Sequence, residues 1–149
     1  MHGPISLVPE PETLETIRAA VEAVSPRTAD APGAVDIGVH EHVIHQIDNY
    51  VPGFSDMTAA LLDGYAAGVK DGARFADLSI QERVAVFREM SGEEAQDIRD
   101  SLDALFVFTV GGVYSEWSAR RAGYARPESW DRIGFHGPSD GHPDYRNGS

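Results

Sequence analysis

Across residues 102–110 the chain carries only two polar side chains, Asp103 and Thr109, and no other stretch limits the possible folds so sharply. A helix made of this segment is wet on a thin stripe at most, so it needs neighbours on several sides. At about nine residues it falls far short of the roughly 20 apolar residues that span a bilayer, and Asp103 and the Gly111-Gly112 pair interrupt it. The run is therefore a core element or a contact surface.

The chain around it is long enough, at 149 residues, for one domain with tails. Its formal net charge of -12, from 24 Asp+Glu against 12 Lys+Arg, repels phosphate backbones and anionic lipid surfaces. Nucleic acid and membrane insertion are thus excluded as expectations. The absence of cysteine removes disulfides, thiolate nucleophiles, Fe–S ligation and Cys-based zinc sites. Met1-His-Gly-Pro-Ile-Ser-Leu-Val8 has neither a cationic region nor an apolar core of signal length, so a cytoplasmic location is expected.

Helical periodicity recurs along the sequence. Leu14, Ile17, Val21 and Val24 define a first amphipathic helix, closed by Ser25-Pro26. A second covers residues 39–51, with Val39, Val43, Ile47 and Tyr50 on one face and Ile44 and Val51 widening it. The third, over residues 56–69, turns Leu61, Leu62, Tyr65 and Val69 inward. Its density of Ala60, Gly64, Ala67 and Gly68 predicts another backbone close by, because each mid-helix Gly otherwise costs about 1 kcal/mol. Phe75 and Leu78 anchor a short connection, and Ser79 with Glu82 forms a capping box opening a fourth helix that faces Ile80, Val84, Phe87 and Met90 inward. Ser91-Gly-Glu-Glu94 repeats the signature and predicts the start of a long last helix ending at Gly111-Gly112. Beyond Ala122 turn residues are studded with aromatics, which solvated disorder lacks, so that segment is expected to lie on something. The class is all-α: about five helices in a body over residues 1–122, with an extended irregular C-terminal arm over 123–149.

No reactive constellation stands out. His40, His42 and His45 have the density of a metal site, yet at 100° per residue His40 points with the apolar positions while His42 and His45 lie opposite. Two ligands at i and i+3 lack a third, and the zinc-protease spacing is not met. His136 and His142 are candidate partner contacts or surface residues. There is no Gly-x-Ser-x-Gly elbow, phosphate-binding lysine loop or dinucleotide glycine motif. The acidic pairs Glu93-Glu94 and Asp97 with Asp100 read as a solvated face.

Three blocks carry a family resemblance: Ala59-Ala-Leu-Leu-Asp-Gly-Tyr-Ala-Ala-Gly68, then Gly72-Ala-Arg-Phe-Ala-Asp-Leu-Ser-Ile-Gln-Glu82, then the helix ending Gly112-Val-Tyr-Ser115. With the Gly134-Phe-His-Gly137 turn after Trp130, they make the chain resemble gluconate 2-dehydrogenase subunit 3 over residues 30–138. The resemblance implies a helical small subunit with no cofactor of its own and no catalytic residues. Its implied partner is a large FAD-containing subunit of the glucose-methanol-choline (GMC) class that oxidises a sugar or glycoside and depends on the small subunit for stability.

On that reading Phe106, Tyr114, Trp117, Tyr124, Trp130, Phe135, His136 and Tyr145 are the expected partner-binding residues, because buried aromatics dominate protein–protein binding energy. The competing outcome is that the arm folds back on its own helices. Two rivals stand beside the subunit reading: an independent small helical enzyme, metal-assisted through His42, His45 and a carboxylate, and an adapter for an unrelated protein.

Overall fold

The structure, a computed structural model, describes residues 9–114. Among them are five α-helices and no strand: α1 (Pro11–Val24), α2 (Val39–Tyr50), α3 (Phe54–Val69), α4 (Ile80–Ser91) and α5 (Gln96–Val113), with single 3-10 turns at Val35–Ile37 and Phe75–Asp77. The all-α expectation holds for these residues.

Like α3 and α5, α1 touches all four other helices, and it also packs against both 3-10 turns, which makes it the hub. Ala19, Ala20 and Ala23 keep its outline thin enough for neighbours on several sides, while Ile17 and Val21 fill the space between them. Thr13 and Thr16 are buried as well, and their hydroxyls bond to Asp56 and Asp63 on α3. Leu14, expected inward, is 39% exposed. The buried threonines take that side of α1 because α3 offers carboxylates there.

Junctions follow from local chemistry. Val51, Pro52 and Gly53 join α2 to α3, and Gly53 takes the left-handed turn with φ 80°, a conformation that favours glycine. Asp48 of α2 then caps α3, accepting from the Ser55 amide at 2.9 Å and its hydroxyl at 2.7 Å. After α3, Asp63 accepts from the Phe75 amide at 2.9 Å, and the Arg74 guanidinium reaches Thr16 Oγ1 at 3.3 Å. These ties fix Phe75, fully buried, against Phe87 with ring centres 5.7 Å apart. Leu78 is buried beside it, so both predicted anchors are in place. The capping box is also present: Glu82 N donates to Ser79 Oγ at 3.2 Å, and Ser79 N to Glu82 Oε1 at 2.9 Å.

Three expectations are corrected. The inner face of α4 is Arg83, Val86, Phe87 and Met90, so Ile80 is exposed and Val84 only half-buried. Arg83 rotates the helix, since its guanidinium donates to the Ala19 carbonyl at 3.2 Å, Glu22 at 2.8 Å and the Ala76 carbonyl at 3.3 Å. Ser91 does not open α5: it is the last residue of α4, and its hydroxyl donates back to the Arg88 carbonyl at 2.7 Å. The helix α5 starts at Gln96 without a side-chain cap. Finally, no described backbone lies against Gly64 or Gly68, over which the space is open for 4 Å.

The close approach predicted for the glycine pair occurs at one member. A Cβ on Gly112 would meet Val39 Cγ1 at 2.6 Å, so α5 crosses the first turn of α2 at this residue, while Gly111 faces open space. No helix among the described residues is long and apolar enough to cross a membrane.

Candidate partner-docking groove

The apolar run divides its side chains between two duties. Leu102, Leu105, Thr109 and Gly112 recur at helical spacing and are buried, with the Thr109 hydroxyl donating to the Leu105 carbonyl at 2.6 Å. Val107 and Val110 face away from the body and are 65% and 53% exposed. Such a surplus of apolar surface on a helix already packed on its other side marks a contact surface.

Between that exposed side, the end of α2 and the start of α3 lies a groove of about 530 Å³. Ile47, Phe54, Ala104 and Phe108 line it with apolar carbon, and the Tyr50 ring stands 6.2 Å from Phe108 at 51°. Tyr50 is itself 80% exposed, and Met57 and Val51 are exposed beside it. Asp97, Asp100 and Asp103, three residues apart on α5, line its acidic side. Asp100 accepts from Gln96 Nε2 at 2.7 Å, which leaves its second oxygen for another donor. An apolar channel with carboxylates along one side suits a segment that carries aromatic and cationic side chains together.

The predicted partner-binding residues divide accordingly. Phe106 is half-buried and packs edge-on against Phe87, with centroids 5.3 Å apart at 85°, so much of its ring is used inside the body. Tyr114 stands at the end of α5 and is exposed. Trp117, Tyr124, Trp130, Phe135, His136 and Tyr145 lie outside the described residues. Sequence periodicity turned Tyr50 and Val51 inward, and it missed both as surface. They end a helix whose apolar stripe outlasts the neighbours that cover it, which periodicity cannot register.

His40 and His45 sit as their helical positions dictate, and His42 is more buried than its polar-face position predicts. His40 is half-buried, its Nδ1 has no hydrogen-bond partner among the described residues, and burial holds its pKa below the ordinary value. His42 is also half-buried, against Gly112, with its pKa lowered by burial and then by His45. His45 is exposed. Among the described residues, no group of three or more His, Asp or Glu side chains is placed to hold a metal ion.

The blocks that carry the family resemblance are built into the scaffold. Asp63 and Phe75 tie α3 to the connection, and the Tyr65 hydroxyl donates to Glu93 at 2.7 Å, a bond that pushes its pKa up to about 12. Gly112 makes the α2 crossing. A family model described as Gluconate 2-dehydrogenase subunit 3 matches residues 11–137, which takes in all five helices and continues 23 residues past Tyr114. No curated protein and no solved structure matches the chain. With most of its length matched, the chain belongs to the gluconate 2-dehydrogenase subunit 3 family.

Proposed function

We propose that this chain is a non-catalytic small subunit that binds and stabilises a large FAD-dependent oxidoreductase of the GMC class acting on a sugar or glycoside. The flavin and the reacting groups belong to that partner. The family match, to a dehydrogenase subunit by its description, carries the reading. The exposed apolar surface of Tyr50, Val51, Met57, Val107 and Val110 supports it, since a chain with net charge -12 has little other reason to leave so much carbon wet.

Physically, the subunit acts by covering apolar surface on the large chain, with an obligate interface of more than about 2,000 Å². Stability of each component then depends on the other. Producing the oxidoreductase with and without this chain tests the role. Soluble flavin-loaded enzyme should fall by roughly tenfold or more without it, a drop equivalent to losing about 1.4 kcal/mol of association-linked stability. Equal yields and equal activity per flavin would contradict the proposal.

A further inference from the structure

The exposed side of α5 changes character along its length, and that change decides what can cover it. Asp100, Asp103, Val107 and Val110 recur at spacings of three and four, so they form one stripe down the helix, acidic toward its start and apolar toward its end. All four are exposed. At about 1.5 Å per residue the stripe runs about 15 Å, and it borders the groove wall at Ala104 and Phe108.

We propose that the segment of the large subunit that seats here is polarised. Its aromatic or branched apolar end lies against Val107, Val110 and the Tyr50 and Phe108 rings, and at least one lysine or arginine at its other end meets Asp100 and Asp103. This rests on the subunit reading above and adds to it the chemistry and the direction of what binds.

The charge of the occupant follows from burial cost. A chain that covers Val107 also covers Asp103, one turn away on the same face, and then Asp100 in line behind it. Left unpaired, two desolvated carboxylates cost more than two buried valines gain. The groove offers them no relief, since no cation lines it among the described residues. Arg99, the only cation on α5, is turned to Gln96 Oε1 at 2.6 Å and the Glu94 carbonyl at 3.5 Å. Asp100 accepts from Gln96, a neutral donor that leaves its charge in place. The helix dipole accounts for Asp97 in the first turn but not for Asp103, which stands well past it. The cation that meets this pair therefore comes from the occupant.

Extent separates a protein segment from a small molecule. A volume of about 530 Å³ is within the range of a small-ligand cleft, yet exposed carbon continues past the rim at Val110, which a molecule filling the groove leaves wet. A partner surface covers both. Its apolar end supplies the affinity, while the ion pairs set direction and reject segments of the wrong charge.

Replacing the two aspartates by their amides reads the sign directly, because an amide pair is cheaper to cover and an occupant without a cation prefers it. Full-length wild type and Asp100→Asn with Asp103→Asn, differently tagged, compete for a limiting amount of the co-produced GMC-class oxidoreductase, and the tag ratio is measured in the flavin-bearing complex. Wild type should win by roughly threefold or more, and Asp100→Lys with Asp103→Lys should lose by roughly tenfold. Asp30→Lys with Asp71→Lys, the same charge change outside the groove, should stay near parity. Val107→Ser with Val110→Ser should also lose by roughly tenfold. All of these positions are exposed, so the helices stay intact, and circular dichroism verifies it. A benzophenone amino acid encoded in place of Val107 gives a readout independent of affinity: it should cross-link to a segment of the large subunit. Amides at parity with or ahead of wild type, or a cross-link to this chain itself or to a second copy, would overturn the proposal and leave the subunit reading standing. If the wild-type chain yields no flavin-bearing complex, the subunit reading fails and this inference fails with it.

Discussion

Gly112 is the residue on which the crossing of α5 and α2 turns, because any Cβ there would press on Val39, itself fully buried. Gly112→Ala should therefore destabilise by about 1–3 kcal/mol despite the higher helix propensity of alanine. Gly111→Ala meets open space and should stabilise by about 0.5–1 kcal/mol. Urea unfolding of the two variants separates packing from propensity, since only packing predicts opposite signs. His40 supplies a pH test. Burial lowers its folded pKa below the ordinary value near 6.5, so in that region the unfolded chain binds more protons than the native one. Stability is fully present above about pH 6.5 and is lost as the pH falls toward the folded value. The urea midpoint should fall as the pH is lowered below about 6.5, and His40→Leu should flatten that slope. The sequence placed His40 on the apolar side correctly, since 100° per residue is fixed geometry. It placed His42 in solvent, and missed that the end of α5 lies over it, because a crossing between distant elements leaves no periodic trace.

Elements were legible where their signals were local. Ser79 and Glu82 cap α4 as their spacing predicts, and Ser79→Ala should cost about 1 kcal/mol by thermal melting. The same pattern at Ser91 misleads because Gly92 follows it: the hydroxyl closes the preceding helix, and α5 begins five residues later. Rotation of α4 was hidden for a different reason. Arg83 reads as a solvent-facing charge, yet it reaches two carbonyls that only tertiary packing brings near. Arg83→Met should destabilise by about 1–3 kcal/mol, mostly from the Ala76 carbonyl losing its guanidinium donor, while the Ala19 carbonyl keeps its place in the α1 hydrogen-bond ladder. The Glu22 partner is nearly half-exposed, so the ion pair itself adds little, and Glu22→Gln should be close to neutral. The role of α1 as hub was also hidden, since alanines weaken an apolar stripe in sequence and strengthen close packing in space. The apolar run of α5 announced itself, but the division of its residues between core and groove required the neighbours.

At the scale of the molecule, an acidic helical body leaves an apolar face uncovered among its described residues, and its family is that of a dehydrogenase subunit. Much of what resembles the family is spent on holding helices together, so a role in binding has to be read from surface carbon and charge. If the chain serves a large oxidoreductase through burial of apolar surface, association should persist at high salt, which screens ion pairs and leaves apolar burial intact. The most direct measurement is gel filtration of this chain co-produced with a GMC-class oxidoreductase from the same genome, with flavin absorbance read on the same column. The account predicts one stoichiometric peak carrying both chains and the flavin, stable to high salt. Two separate peaks, each folded and with the oxidoreductase fully active alone, would contradict it.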